Sequence, residues 1–502
     1  MAGIGFELKR LFRRRGIAAA GAAYSYAGLL CTGPLLLGIL LQVGLLVLCR
    51  QSGTPRTEQE LLVCMVTYTL LGSLLVTSIV SMPLTRFWAD MLYQAQEPAV
   101  LPALWGADAL LLPVGCGLYG LFLLGSGASF VQGMLCLWLF AEMIVNWNAI
   151  GCLTAIKEYA AVLRSFLTAL AAAWLVGYGT VLLADLPALE SLLFSIAMGY
   201  GGMLVQNLWL LHSRFPQREG SLWKFLRWMD RFVLLAWAGL LLNIGLFGHL
   251  LLLWTGPIGV QVKGLFYSAP YYEVPAMLAF MSILPTTVNF VVSMEVQCYP
   301  AYREYCGLFN EGGTLGDIAL AEKRLLTVMN RELWYTALKQ LFFTAAVISL
   351  ESTLLDVLPL GFNDLMHGCF RTLCIGYGLY AVGNTVVLLL LYLTDARGAV
   401  AAAAGFAAAS VGLTAFSLHF DPAYYGFGFL LGAAVFCLIG LLRLDRFTAA
   451  LPYHILGSQP LVANEKIGCF TRLAQRLERA EIRTELSVSR AEHAGRNQHA
   501  KH

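Results

Sequence analysis

The chain has 502 residues, of which 58% are hydrophobic and only 13% are charged, and its mean hydropathy is +0.69. This composition excludes a soluble enzyme and a disordered chain, and it indicates a multi-pass membrane protein. The twelve cysteines lie mostly in apolar stretches and form no CxxC motif, so no disulfide framework and no metal site are expected.

A basic amphipathic segment opens the chain. Ile4, Leu8, Leu11 and Phe12 share one helical face. The opposite face carries Lys9, Arg10, Arg13, Arg14 and Arg15. This pattern predicts an interfacial helix over residues 1–20 that lies on the anionic inner leaflet. The apolar run that follows, from about Tyr24 to Leu48, is too long for a cleaved signal peptide and predicts a spanning helix.

Twelve apolar spans are expected, at about 20 residues each. They lie near residues 25–48, 61–83, 106–125, 130–153, 160–183, 190–211, 232–254, 274–294, 337–358, 367–393, 398–418 and 425–443. Six of these spans precede the polar, basic stretch at residues 212–231, and six follow it. The sequence therefore predicts an N-terminal lobe at 21–211, a linker at 212–231, a C-terminal lobe at 232–443 and a tail at 444–502.

The linker has the pattern of an amphipathic helix. Its apolar face carries Leu222, Phe225, Leu226 and Met229, flanked by Trp223 and Trp228. The other face carries Lys224, Arg227 and Arg231. This pattern fits a helix at the membrane–water boundary, and an ordinary basic cytoplasmic loop explains it equally well.

The positions of lysine and arginine predict the orientation of the chain. Five lie in residues 1–15, five in 212–231 and five between Arg303 and Lys339. The segments predicted on the other side carry only Arg50, Arg56 and Lys263. Because lysine and arginine are enriched in the short loops on the cytoplasmic side of a membrane protein, both termini are expected in the cytoplasm.

Two further cytoplasmic segments carry helix signals. In the loop predicted at 295–336, Thr314 and Asp317 fit a capping box, and an apolar face follows it. That face consists of Ile318, Leu325, Met329 and Leu333. In the tail, an apolar face predicts one short helix, and the polar chain beyond about Ser487 is expected to be disordered. The tail face consists of Ile467, Phe470, Leu473 and Leu477.

The fourth span contains the clearest candidate for contact with a substrate. Trp138, Glu142 and Asn146 stand at i, i+4 and i+8, so an indole, a carboxylate and an amide share one helical face. An ionisable residue in the middle of a span is a functional candidate, and this set of groups suits a sugar. The alternative is a packing role, with Glu142 either protonated or paired with Arg164 of the fifth span.

Other polar residues within spans are weaker candidates for the substrate path. Asn243, Asn289 and Asn384 lie within the seventh, eighth and tenth spans, where an amide serves more often as a bond between helices. Glu273, Glu351 and Arg371 are expected at the outer ends of spans eight to ten. They could line an exit, although solvation at helix ends explains them equally.

The opening MAGIGFELKRL, with Tyr24, Tyr26, Gly33 and Pro34, resembles the start of the PelG family of Pel exopolysaccharide systems. A second resemblance lies in the loop at 295–336. It consists of Tyr302-x-x-Tyr305 followed by Gly312-Gly313-Thr314-Leu315-x-Asp317-Ile318. Together these resemblances cover roughly residues 1–450. The tail beyond about residue 460 is not expected from the family.

The resemblance implies an all-α polytopic membrane protein with two six-helix bundles around a central cavity, as in the polysaccharide and multidrug exporter superfamily. It implies a partly deacetylated, amino-sugar-rich polymer as cargo. It also implies a cytoplasmic glycosyltransferase that uses a UDP-sugar, and membrane partners that sense cyclic-di-GMP. Lys9, Arg10, Arg13, Lys224, Arg227, Thr314 and Asp317 are then candidates for contact with lipid or partners.

Three alternatives to a polysaccharide exporter remain. A lipid-linked oligosaccharide flippase would carry pyrophosphate, which favours arginine and lysine in the cavity, whereas Glu142 is the deepest charge here. A membrane glycosyltransferase that uses a nucleotide sugar would need a far larger cytoplasmic domain than the loop at 295–336. A polymer ligase or acyltransferase would more often show a large outer loop or a buried histidine. A scaffold for the synthase is compatible with export. No cofactor, metal or nucleic-acid partner is expected.

Overall fold

The computed structural model describes residues 28, 37–184, 186–217, 220–355, 361–457 and 467–481. The described chain is almost entirely helical. The helices are α1 Leu37–Gln51, α2 Arg56–Tyr93, α3 Val100–Gly125, α4 Phe130–Ala155, α5 Tyr159–Tyr178, α6 Ala188–Arg214, α7 Leu226–Arg231, α8 Val233–Trp254, α9 Pro270–Phe280, α10 Leu284–Ser293, α11 Tyr299–Glu311, α12 Leu315–Ser349, α13 Glu351–Leu355, α14 Asp364–Tyr392, α15 Ala396–Ser417, α16 Tyr425–Thr448, α17 Leu451–Gly457 and α18 at residues 469–481. The strands are β1 Val260–Lys263 and β2 Phe266–Ser268.

Ten helical segments of the described chain are long and apolar enough to cross a membrane, with Pro270–Phe309, which contains α9, α10 and most of α11, counted as one segment. They correspond to predicted spans two to eight and ten to twelve. The first predicted span lies partly outside the described residues, and α1 forms its second half. The ninth predicted span lies in the end of α12, where Lys339 and Gln340 make the helix more polar. That helix already begins at Leu315, so most of the loop predicted at 295–336 is helical.

The helices form two groups, each with its own core of buried side chains. The first helix group comprises α1–α7, and its largest buried side chains include Phe87, Trp88 and Phe140. The second helix group comprises α8–α17, with buried Phe406 and Phe429. The groups touch along α2 and α8. At Gly239 of this contact a Cβ would lie 2.8 Å from a backbone oxygen of α2, so glycine permits the close approach.

The linker contains less helix than its pattern predicts. Helix α6 ends at Arg214, and the chain then passes Pro216 and Gly220, whose φ is +105°. Proline and a positive φ are both incompatible with a continuous helix, so α7 has only six residues. The apolar face of Phe225, Leu226 and Met229 is buried in the core of the first helix group. The protein, rather than lipid, covers that face.

A β-hairpin joins α8 to α9 and packs on the first helix group. Strands β1 and β2 pair antiparallel, with Val260 opposite Ser268. Phe266 is completely buried and belongs to the first group's core. The backbone of Tyr267 accepts a hydrogen bond from the Tyr68 hydroxyl at 3.1 Å and donates one back at 3.2 Å. We call this side of the protein the hairpin end and the opposite side, which carries α7, the linker end.

Helices α11 and α12 form a helical hairpin at the linker end. Gly312 ends α11 in the left-handed conformation, with φ +79°, and Thr314 caps α12 in a capping box with Asp317. The predicted helix start is confirmed. Leu325 and Met329 of the predicted apolar face are buried with Tyr305 of α11, so that face packs α12 against its neighbour.

The capping box predicts a pH dependence of the first turn of α12. The Thr314 side chain and backbone N–H both hydrogen-bond the Asp317 carboxylate and lower its pKa. A carboxyl group whose pKa is lowered by folding stabilises the fold above its unfolded pKa, and that contribution disappears as the pH falls through the folded value. We therefore expect amide exchange at residues 314–318, corrected for intrinsic rates, to accelerate below about pH 4. Asp317→Asn should show no such acid-dependent step, and an unchanged step in that variant would contradict the assignment.

Candidate functional site

Glu142 lies midway along α4 and faces α6. Its residue surface is only 9% exposed. A Cβ at Gly201 of α6 would come within 2.8 Å of the Glu142 Oε1, so the glycine leaves room for the carboxyl group. The other oxygen, Oε2, is buried and has no hydrogen-bond partner among the described residues. A buried carboxylate without a partner is costly, so a cation or hydrogen-bond donor that reaches this oxygen would be bound favourably.

One helical turn beyond Glu142, the contact between α4 and α6 is formed by side-chain amides. Asn146 is fully buried, and its Nδ2 donates to the backbone oxygen of Tyr200 at 3.1 Å. Asn207 of α6 donates to the Asn146 Oδ1 at 3.4 Å. Asn146 therefore bonds α4 to α6 in this conformation. Asn207 was not among the predicted site residues, although its position inside an apolar span was an available signal.

Trp138 lies one turn from Glu142 in the opposite direction and has different surroundings. Its surface is 41% exposed, and its ring lies 6.0 Å from that of Phe194 on α6. Along this face of α4 the three residues run from an exposed indole through Glu142 to a buried amide, and their role in the substrate path stays a prediction. We call this set of residues on α4 and α6 the α4–α6 seam.

The suggested ion pair between Glu142 and Arg164 is absent from the structure. The Arg164 side chain is exposed and its Nε donates to the backbone oxygen of Ala160 at 3.3 Å. A different carboxyl–amide pair lies closer to the linker end, where Asn148 donates to the Asp108 Oδ1 at 2.7 Å. The Oδ2 of Asp108 is buried without a hydrogen-bond partner in the described chain. Asp108 was not among the predicted site residues.

A second polar contact, the α10–α12 seam, lies in the second helix group. Asn289 donates to the Thr336 hydroxyl at 2.8 Å and accepts from the Lys339 ammonium at 2.5 Å. Gln340 hydrogen-bonds Thr286 and donates to Thr344 at 2.9 Å. Ser293 donates to Glu332 at 2.8 Å. Asn289 was predicted as a polar residue within a span. Its partner Thr336 lies at the end of the loop predicted at 295–336, and Lys339 lies at the start of the predicted ninth span.

The other two asparagines do not join these seams. Asn243 donates to the backbone oxygen of Gly239, one turn earlier on its own helix, at 2.9 Å. Asn384 is half-buried on α14. Neither placement tests a role in the substrate path.

The charged residues expected at the outer ends of the spans divide between two places. Glu351 is buried and accepts hydrogen bonds from His367 at 2.6 Å and from Arg371. Glu273 instead accepts from the backbone N–H of Ala269 at 2.9 Å, at the start of α9. Glu351 and Arg371 therefore form one ion pair, while Glu273 acts at the beginning of its own helix.

The candidate contact residues at the linker end are only partly accessible. Lys224 donates to Gln96 at 2.9 Å, and Arg227 pairs with Glu478 of α18 at 2.8 Å. Thr314 and Asp317 are exposed in their capping box. Lys9, Arg10 and Arg13 lie outside the described residues.

The comparisons with known proteins identify a family and a fold. Residues 1–456 match the family model described as "PelG: Putative exopolysaccharide Exporter (EPS-E)". No match to the chain was found among curated proteins.

Solved transporters share the fold at low sequence identity. A MATE transporter crystallised with the ligand MaL6 is 11% identical, with a TM-score of 0.60 over 85% of this chain and 96% of its own. A MOP superfamily transporter from Pyrococcus furiosus is 12% identical, with a TM-score of 0.58 over the same shares. An inward-facing MATE transporter is also 12% identical, with a TM-score of 0.56 over 82% of this chain and 94% of its own. Family and fold point to a multi-pass transporter rather than an enzyme.

Proposed function

Because the chain belongs to the PelG exporter family, we propose that it moves an amino-sugar-rich, Pel-like exopolysaccharide from the cytoplasm to the periplasm across the bacterial inner membrane. The family match over residues 1–456 carries this proposal, and the transporter fold supports it. The α4–α6 seam supplies the chemistry: an indole on which a sugar ring can stack, and a carboxyl group that can pair with an amino sugar.

The proposed topology has twelve spans in two lobes, with α1 and the end of α12 completing the ten membrane helices of the described chain. The linker end then lies in the cytoplasm together with both termini. Arg86, Arg214, Lys224, Arg227 and Arg231 all lie near the linker end of the described helices, as the preference of basic residues for the cytoplasmic side requires.

In this topology the β-hairpin closes the periplasmic side between the two helix groups. The hairpin belongs to the second group, yet Phe266 is buried in the first group's core and Tyr68 stacks on Trp254 at 4.3 Å. Passage of a polymer requires these contacts to separate. Alternating access would therefore release the hairpin from α2 while the linker end closes.

The charge along the path favours a neutral or cationic glycan over a pyrophosphate-linked lipid. Glu142 has no ion-pair partner among the described residues, whereas Lys339 of the α10–α12 seam is engaged by Asn289. An anionic headgroup would meet the Glu142 carboxyl group with no cation beside it, and it would have to displace Asn289 to reach Lys339. This comparison places the lipid-linked oligosaccharide flippase second.

A scaffold role is supported by a separate observation. Leu315 and Leu320, beside the Thr314–Asp317 capping box, are largely exposed at the start of α12. Exposed leucines at the tip of a helical hairpin suit a protein partner. In a Pel-like complex that partner would be the UDP-sugar-dependent glycosyltransferase, and the membrane partners that sense cyclic-di-GMP would complete the assembly.

The decisive experiment compares polymer inside and outside cells that make the polysaccharide, with and without this chain. An exporter predicts loss of secreted polymer and accumulation of polymer in the cytoplasm. A scaffold predicts loss of both, because synthesis itself fails. A flippase predicts accumulation of a short lipid-linked oligosaccharide, detectable by mass spectrometry of the lipid extract. Normal secretion in its absence would refute all three.

A further inference from the structure

Helix α18 packs on the linker although it lies beyond the family match. The chain reaches α17 in the second helix group, where Leu451 is fully buried. Further along the chain, Ala474 of α18 has no exposed surface and belongs to the core of the first helix group. Phe470 and Leu477 pack against the same core. The tail therefore returns from one helix group to the other at the linker end.

Polar contacts define the position of α18 on the linker. Asp230 accepts hydrogen bonds from the backbone N–H groups of Phe470 at 3.3 Å and Thr471 at 2.5 Å. A carboxylate at this place satisfies the free N–H groups of the first helical turn. Farther along the helix, Glu478 pairs with Arg227 at 2.8 Å and Glu481 accepts from Ser221 at 2.7 Å.

The close approach at Gly468 makes this docking specific. A Cβ on Gly468 would collide with the Asp230 carboxylate. The residue thus permits the carboxylate to reach the beginning of the helix. By contrast, a Cβ on Gly457 at the end of α17 would meet no atom within 4 Å.

The docked helix lies beside the junction between the linker and the second helix group. Helix α7 ends at Arg231 and α8 begins at Val233, with Phe232 at φ −120° and ψ 36° between them. On the linker side, Trp228 donates to Asp90 of α2 at 2.9 Å, which ties α7 to the first group. A tilt of one helix group against the other would bend the chain most easily at Phe232, two residues from Asp230, whose carboxylate accepts from the first turn of α18.

We propose that α18 is a brake on this hinge: docked, it holds α7 on the first helix group and restricts movement of α8, and its release frees the two groups to tilt. The proposal goes beyond the transport function. It assigns a regulatory role to the tail and to Ser221, Arg227 and Asp230, and it requires no knowledge of the cargo.

The test uses the purified full-length protein in lipid nanodiscs, with the exposed Cys469 and the half-buried Cys116 and Cys306 replaced by serine, and labelling is read by mass spectrometry on the peptide that contains residue 474. Ala474→Cys reports docking, because a buried thiol reacts slowly with a maleimide. We expect Gly468→Ala to raise its labelling rate by about tenfold, the effect of one overpacked contact. Gly457→Ala is the matched control and should leave the rate unchanged. Arg227→Glu and Glu478→Arg should each raise it, and the two together should restore protection.

Spin labels then report the hinge. Labels at the exposed Tyr93 and Lys323, one on each helix group, give a distance distribution by double electron–electron resonance. The brake predicts a narrow distribution for the docked protein and a broader or second population in Gly468→Ala. Equally fast labelling of Ala474→Cys in all variants would show that the tail is not docked, and equally slow labelling would show that the contacts of Gly468 and Arg227 do not hold it. Increased labelling with an unchanged distance distribution would show that the tail docks in the unaltered protein but that its release does not free the helix groups to move. Each of these results overturns the proposal, and none depends on polymer export.

Discussion

Glu142→Ala is expected to reduce polymer secretion by about one to two orders of magnitude, while the protein remains folded in the membrane. A hydrogen bond to a charged group contributes about 1.5–3 kcal/mol. If the rate-limiting passage of an amino sugar loses that stabilisation, its activation free energy rises by the same amount and the rate falls by about one to two orders of magnitude. Folding should tolerate the change, because the carboxyl Oε2 has no partner to lose. Secreted and cytoplasmic polymer are measured separately, with the membrane abundance of the variant as reference.

Two further variants decide what the carboxyl group does. Glu142→Gln keeps the size and the hydrogen-bonding capacity, so near-normal secretion in this variant would exclude pairing with a cationic sugar. Glu158→Ala is the matched control. It removes a carboxylate that pairs with Arg214 at 2.9 Å on the surface, and it should leave secretion unchanged. If Glu142→Ala itself secretes normally, the α4–α6 seam is a packing contact and the path lies elsewhere.

The scaffold alternative needs its own test, because the segment 295–336 is not a removable loop. Leu325 and Met329 lie in a buried core, so deletion would unfold the region rather than remove a docking surface. Leu315→Glu and Leu320→Glu change only exposed positions. A scaffold role predicts that these substitutions reduce polymer synthesis, whereas a pure exporter makes the same amount of polymer with or without them.

The sequence was sufficient for most of the fold because long apolar runs are the strongest signal of a membrane helix. The exceptions have physical reasons. Lys339 and Gln340 interrupt the apolar character of α12, and the polar partners that they find on α10 are distant in sequence. Pro216 and Gly220 break the linker helix, although its apolar face keeps helical spacing. The sequence pattern alone could not distinguish burial of that face in the protein from burial in lipid, because both require the same apolar residues.

The candidate site was only partly predictable, since spacing identifies a face of a helix and not its neighbour. The stripe of Trp138, Glu142 and Asn146 was found, but Gly201 and Asn207, which face it from α6, carry no signal of their own. Likewise, Asp230 reads as an ordinary surface residue until α18 is placed beside it. The sequence alone indicates the polar groups on the face of α4, and the structure adds the residues of α6 that face them.

The largest loss of stability is expected from Asp395→Ala, at another pairing that the sequence did not reveal. Asp395 is buried and accepts from the Arg443 guanidinium at 2.6 and 3.0 Å. It also accepts from the Gly398 backbone N–H at 3.1 Å and thereby caps α15. The variant loses the cap and leaves Arg443 without its carboxylate.

Removal of one partner from a buried ion pair costs about 3–5 kcal/mol, but the Arg443 side chain is 36% exposed and water can replace part of the interaction. We therefore expect Asp395→Ala to lower the free energy of unfolding by about 2–4 kcal/mol, with the cap supplying about 1 kcal/mol. Asp395→Asn keeps an acceptor for Gly398 and should lose less. Glu304→Ala breaks an exposed pair with Arg324 and should cost about 0–1 kcal/mol. The free energy of unfolding of all three variants is measured in detergent by circular dichroism. Equal losses of this free energy in Asp395→Ala and Glu304→Ala would show that the buried pair does not hold α15 against α16.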